Sequence, residues 1–346
     1  MAYLYLCDGT IYEGEVFGYE GDAIGEVVFN TNMTGYQELM TDPSYYGQIV
    51  NMTYPLIGNY GVNKFDNESD GVHVKGLIVR DYTEVPSNWR SERTLDEYLK
   101  ENKVVAIHGI DTRALTRKLR NDGVMNGIIC REYPTPEQIE AVKAYKIVNP
   151  VEAVSIKSAY DVKGSGKRVA VIDYGMVHNI VSSLQDCNFD LRIFPSSVTA
   201  EEVLAFNPDG IMIADGPGNP EENVAQVETV KKLVGKKPMF AVGLGHQMLA
   251  IAMGGKTYKM KYGHRGGNQP VKDLTTGRVY ITAQNHGYCV DEKSINGKIT
   301  HVNWNDHTPE GIEYEKEKAF SVQFHASTGK GTFTTNYLFE KFAKML

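Results

Sequence analysis

From residue 169 onward the chain alternates short apolar runs with helix-compatible runs, and nothing else in the sequence limits its fold so tightly. An apolar strand at 169 to 172 in "RVAVIDYG" precedes the helix-like "NIVSSLQDC", the strand "LRIFP" and a helix from "TAEEVLAF". The strand "GIMIAD", the loop "GPGNP", a further helix and the strand "PMFAVG" follow. Strands alternating with helices of about 10 to 15 residues predict a doubly wound parallel sheet with its site at the carboxyl ends of the strands. The loops leaving two of those ends, "DGPGNP" and "VGLGHQ", should then lie side by side.

The first half has a different character. Period-two patterning in "AYLYLCDGTIYEGEVFGY", "GEVVFNTNMTGY" and "GQIVNMTYP" predicts a mainly β start. Helical spacing appears later, in "RTLDEYLKENKV" and "TRALTRKLRNDG", which makes this half α+β. At 346 residues the chain exceeds one typical domain. The expected organisation is an N-terminal domain over residues 1–150, a linker over 151–168, and an α/β domain over 169–346. The linker rests on "KSAYDVKGSGKR", which is small, polar and basic.

Composition narrows the function classes. A net charge of −7 without runs of like charge argues against a nucleic-acid binder. No run approaches the roughly 18 apolar residues of a spanning helix, and "MAYLYLCDGT" lacks the pattern of a secretion signal. A soluble, cytoplasmic protein is expected. Cys7, Cys130, Cys187 and Cys289 stand far apart without CxxC spacing, so no zinc cage or disulfide framework is indicated and no metal site is expected. "GSGKR" lacks the full pattern of a phosphate loop, and the sequons at Asn32, Asn51 and Asn67 carry no weight without a secretion signal.

The stretch "KKPMFAVGLGHQMLAIAMGG" reads as strand, sharp turn and helix, stopped by Gly254-Gly255. Such elbows present a nucleophile in strained backbone, with the next N–H aimed at an oxyanion. Here the apex is Gly243 and the next N–H belongs to Leu244. An ordinary tight β–α turn would use the same glycine. Gly216 and Gly218 in "DGPGNP" expose backbone N–H groups, "ITAQNHGYCVD" offers Asn285 ahead of Gly287 and Tyr288, and "FSVQFHASTGKG" places His325 after an apolar strand as a candidate general base.

In this order and spacing, "GPGNP", "GLGHQ", "QNHGY" and "FSVQFH" resemble a class I glutamine amidotransferase domain, in which a Cys-His-Glu triad hydrolyses glutamine to ammonia. "GYQELMTDPSYYGQIVNMTYPLIGNYGVN", "GLIVRDYTEVPSNWRSERTLDEYLKEN", "GIDTRALTRKLRNDGVMNG" and "YGHRGGNQPVKDL" look like the small subunit of carbamoyl phosphate synthetase. The resemblance covers nearly the whole chain. It implies a large-subunit partner that binds ATP, magnesium and bicarbonate and makes carbamoyl phosphate for pyrimidine or arginine synthesis. It implies no cofactor in this chain.

Carried over by position, the resemblance assigns glutamine contacts to Ser44, Gly216, Gly218, Leu244, Gln247, Asn285, Gly287 and Tyr288, the last standing where phenylalanine is usual. The triad histidine corresponds to His325. The nucleophile corresponds to Gly243 and the triad acid to Ser327, where the family's usual "HPEASPGPHDT" reads "HASTGKGTFTT". Glycine has no atom with which to attack an amide carbon. The expectation is a small subunit that has lost glutamine hydrolysis and serves an ammonia-dependent synthetase. Two alternatives stand beside it: a working glutaminase with a substitute nucleophile, for which Cys289 and Cys187 are the candidates although neither sits on the elbow, and a non-catalytic amino-acid-binding or regulatory protein. Retention of the contact positions also allows glutamine to bind uncleaved.

Overall fold

The computed structural model describes residues 1–326 and 335–346, and the chain divides into two compact units, Met1–Val148 and Asn149–Leu346. In the first, strands close into a barrel in the order Ala2–Leu6, Ile11–Gly18, Val105–His108, Gly76–Ile78, Gln48–Met52, Ala23–Asn30 and Met125–Cys130. Sequence-adjacent strands pair twice around it, Ala2–Leu6 with Ile11–Gly18 antiparallel and Ala23–Asn30 with Gln48–Met52 parallel. The other pairings join strands not adjacent in sequence, and a parallel run passes through Ala23–Asn30, Gln48–Met52, Gly76–Ile78 and Val105–His108. The mainly β start is thus a closed barrel with helices added. Leu95–Glu101 opens with a capping box from Thr94 and Glu97, and Thr112–Asp122 stops at Gly123.

The second unit holds a ten-stranded sheet. Its order is Tyr160–Val162, Asp190–Phe194, Arg168–Ile172, Gly210–Ile213, Met239–Val242, Ala319–Val322, Pro309–Tyr314, Lys298–Asn303, Thr257–Asp273 and Val279–Val290. The five strands from Asp190–Phe194 to Ala319–Val322 are parallel, as the alternation predicted. The last four are antiparallel, so the sheet is mixed and the doubly wound description holds for its first half. Along the parallel strands successive side chains enter opposite cores. Ala170, Ile172, Ile211, Ile213, Met239 and Ala241 pack on one face with helices Ala200–Ala205, Val224–Leu233 and Leu244–Ala252. Val169, Val171, Met212, Phe240 and Val242 pack on the other with His178–Asp186 and Tyr337–Met345. Near-continuous apolar strands are what burial on both faces requires.

Residues 151–168, expected as a linker, are built into this unit. Helix Pro150–Val154 starts the segment, Ile156 donates its N–H to Asp173 Oδ2 at 2.8 Å, and Tyr160–Val162 adds an antiparallel edge strand to Asp190–Phe194. A three-residue edge strand with exposed side chains leaves no hydrophobic period to read, which is why polarity looked like a linker. Among the described residues no helix is long and apolar enough to cross a membrane. The four cysteines are free; Cys130 and Cys289 are buried, Cys7 and Cys187 half-buried.

Candidate functional site

The elbow strand Met239–Val242 is fully buried between two parallel neighbours, and the helix Leu244–Ala252 leaves it after one residue. That residue, Gly243, has φ 57° and ψ −116°, a backbone state that L side chains rarely adopt. Its N–H continues the sheet ladder to the Val322 carbonyl at 3.0 Å. The strained elbow geometry therefore persists although the apex carries no side chain.

The space above the apex is filled from the neighbouring loop. A Cβ built on Gly243 falls inside the carboxylate of Asp215, closest to Oδ1 and Cγ. Asp215 follows the strand Gly210–Ile213 and is 8% exposed. Its Oδ1 accepts the N–H of Leu244 at 2.7 Å and the N–H of Gly216 at 2.7 Å, while Oδ2 lies 3.6 Å from His325 Nε2. The two loops expected to be adjacent are joined by these bonds. Gly216 can sit there because it has no Cβ; one would collide with the Tyr174 carbonyl. His325 follows the strand Ala319–Val322, its own N–H bonded to the Ala283 carbonyl at 3.0 Å.

The other expected contact residues lie on several elements of the chain. Gln247, 2% exposed on the elbow helix, donates to the Tyr288 carbonyl and to Gln323 Oε1, both at 2.8 Å. Asn285, Gly287 and Tyr288 lie within the strand Val279–Val290 rather than in a loop; Asn285 is in register with Arg265, and Gly287 sits beside the Arg265 guanidinium. Gly218 packs against Pro150. Ser44 belongs to the first unit, buried, with its N–H donated to Asp42 Oδ1 at 2.9 Å. Ser327 lies outside the described residues.

Two buried histidines missed by the motif reading brace the site. His246, one residue before Gln247, holds Nδ1 2.8 Å from Ser321 Oγ and so ties the elbow helix to the neighbouring strand. Burial, with some repulsion from His301, pushes its pKa down to about 3, so it is neutral. His264 is the opposite case. Burial alone would push its pKa down, but Asp306 at 2.9 Å on Nε2 and Glu310 at 3.3 Å on Nδ1 outweigh that and lift it to about 9.

His264, His286 and Glu310 bring one ligand-type atom each within 4.8 Å of one another. His264 is clamped between Asp306 and Glu310, both of which raise its pKa, and this pairing ties the long hairpin Thr257–Val290 to the strand Pro309–Tyr314. His286 packs edge-on to His264, ring centroids 5.0 Å apart, with Nδ1 donating to the Tyr288 carbonyl at 2.8 Å.

The two candidate substitute nucleophiles, Cys289 and Cys187, are poorly placed for that role. Burial raises the Cys289 thiol to about 12, and Glu310 nearby adds to the shift. Its Sγ points toward the carbonyls of Val290 and Pro309. Cys187 is also raised, by burial first, at the end of the helix His178–Asp186. A thiol nucleophile needs the reverse shift, toward thiolate at neutral pH.

The chain's relatives agree with this architecture. Residues 4–129 match the family model described as carbamoyl-phosphate synthase small chain, CPSase domain, and residues 170–345 match glutamine amidotransferase class-I. The chain is 49% identical over 344 residues to the carbamoyl phosphate synthase small chain of Clostridium perfringens, covering 99% of both chains. It is 49% identical to that of Clostridium acetobutylicum, again over 99% of both, and 48% identical to that of Bacillus caldolyticus over 99% of this chain and 96% of the relative. A barrel unit followed by an elbow-bearing mixed α/β unit, with this degree of identity from end to end, places the chain in the carbamoyl phosphate synthase small chain family, with a class I glutamine amidotransferase domain as its second half.

Proposed function

We propose that this chain is the small subunit of a carbamoyl phosphate synthase and does not hydrolyse glutamine, so that the enzyme it serves takes ammonia as nitrogen donor. The supporting observation is the elbow: the apex is Gly243, and the volume a nucleophile would need is held by the Asp215 carboxylate. Acyl transfer from glutamine needs an atom that attacks the amide carbon and a base that takes its proton. His325 is the remaining base candidate, and Ser327 at the acid position carries no charge with which to stabilise an imidazolium. Loss of a triad nucleophile leaves roughly 10³- to 10⁴-fold acceleration from binding and oxyanion stabilisation, out of a total in the millions.

In this reading ATP, magnesium and bicarbonate bind the large subunit, and this chain stabilises or tunes it in the cytoplasm. The substitute-nucleophile alternative is opposed by the burial and raised pKa of Cys289. A stand-alone amino-acid-binding role is opposed by end-to-end similarity to synthase small chains. The test is carbamoyl phosphate formation by the large subunit with and without this chain, with glutamine or ammonium as donor. Activity with ammonium alone, raised or stabilised by this chain, is expected. Robust activity with glutamine sinks the proposal, and failure of the two chains to co-purify favours the stand-alone alternative. Calorimetry with glutamine addresses uncleaved binding separately; no heat at millimolar ligand excludes it.

A further inference from the structure

Asp215 does more than lie near a missing nucleophile. In an acyl-transfer elbow, the oxyanion is received by the N–H of the residue after the apex together with an N–H from a second loop. In this chain those donors are Leu244 and Gly216, and both already point at one oxygen, Asp215 Oδ1, at 2.7 Å. The same carboxylate overlaps the position of an apex side chain, and its other oxygen faces His325 at 3.6 Å. One side chain thus stands in three places that a reacting amide would need: the nucleophile's volume, the oxyanion's donors and the approach to the base. Charge-assisted bonds from two backbone amides are short and strong, so an incoming neutral carbonyl oxygen competes poorly for them.

We infer that Asp215 is an internal ligand of this site, a built-in carboxylate that saturates the two oxyanion donors and closes the reaction centre to the side-chain carboxamide of glutamine and the carboxylate of glutamate. This deepens the reading of the domain as an unused glutaminase site. It also makes the loss of hydrolysis twofold: a cysteine at 243 would meet the carboxylate, and clearing the carboxylate alone would supply no nucleophile. The loop "DGPGNP" is then a specificity element whose acidic residue decides what the two amides can bind.

The test reads the amides directly in the full-length protein labelled with ¹⁵N. Formate, a carboxylate without a side chain, is titrated into wild type and into Asp215→Ala. The expected result is saturable movement of the Leu244 and Gly216 amide signals in the variant, and none in wild type at concentrations that saturate the variant. Equal movement in wild type would show the donors open and overturn the inference, as would no movement in a variant whose circular dichroism matches wild type. Asp215→Asn keeps the shape and serves if the alanine variant does not fold. Leu244, remote in sequence from the change, should then show its amide proton shifted upfield as its acceptor becomes neutral; an unmoved Leu244 signal contradicts the assignment. These readouts do not depend on which nitrogen donor the synthase uses, so the inference can fail while the proposed function stands, and the reverse.

Discussion

His264 and His325 both face carboxylates in the second unit, but His264 is clamped on both ring nitrogens, at 2.9 and 3.3 Å, whereas His325 meets one oxygen of Asp215 at 3.6 Å. The difference lies in where the carboxylates make their short bonds. Asp306 gives Oδ2 to the imidazole and Oδ1 to Thr308, and Glu310 sets Oε1 against the other ring nitrogen, so His264 is gripped on both sides and the cluster holds strands together. Asp215 directs its short bonds to backbone amides of the elbow and its own loop. A carboxylate beside a histidine is therefore no sign of a working base; its other hydrogen bonds decide what the pair does.

The largest expected effect belongs to the clamped pair. His264→Ala leaves Glu310, 0% exposed, as a buried acid without its counter-charge, and should lower stability in urea unfolding by about 3–5 kcal/mol. A loss below about 1 kcal/mol would remove the cluster from the account of how the hairpin is held. Next comes the apex. Gly243→Cys places a side chain at φ 57°, costing about 1–3 kcal/mol in backbone strain before the overlap with Asp215 is added. In the Asp215→Ala background that overlap is gone, so the two changes together should destabilise less than their sum. Strict additivity would mean the two side chains do not share the space.

The pH dependence sharpens the same comparison. His264 is raised from its ordinary 6.5 to about 9, so the stabilisation from its charge is fully present below about pH 6.5 and is lost as pH rises through 9. The groups facing it are Asp306, Glu310 and the edge of neutral His286. On the order of 3 kcal/mol should disappear across that window in wild type, and His264→Gln should lack that limb. An identical alkaline limb in both would show that another group titrates there. The smallest effect is expected at Cys289. Cys289→Ala should leave the background rate of glutamate release from glutamine unchanged, because a thiol raised to about 12 contributes no thiolate at neutral pH. Glutamate release that falls in this variant would reopen the substitute-nucleophile alternative.

The parallel half of the sheet was legible because its strands are short, largely apolar runs, most of them followed closely by a helix, one of which opens with a capping box from Thr199 and Glu202. The antiparallel half was not. Thr257–Asp273 mixes lysines, glycines and exposed tyrosines and is interrupted by register shifts between Lys259 and His264 and between Gly266 and Gln269, so no period survives. Barrel closure in the first unit depends on pairings such as Ala2–Leu6 with Met125–Cys130, which local pattern does not encode. At the site, the glycine apex and the adjacency of two loops could be read directly. The role of Asp215 could not, although it stood in the quoted loop, because it depends on a rotamer that reaches across to Leu244. The signal that could have found it was an acidic residue next to a glycine-rich loop facing a side-chain-free apex.

The elbow should not turn over glutamine, and the most direct measurement is glutamate release from glutamine by the assembled large and small subunits during carbamoyl phosphate synthesis with ammonium present. No glutamate above the rate seen without this chain is expected. Glutamate formed in step with carbamoyl phosphate would contradict that expectation.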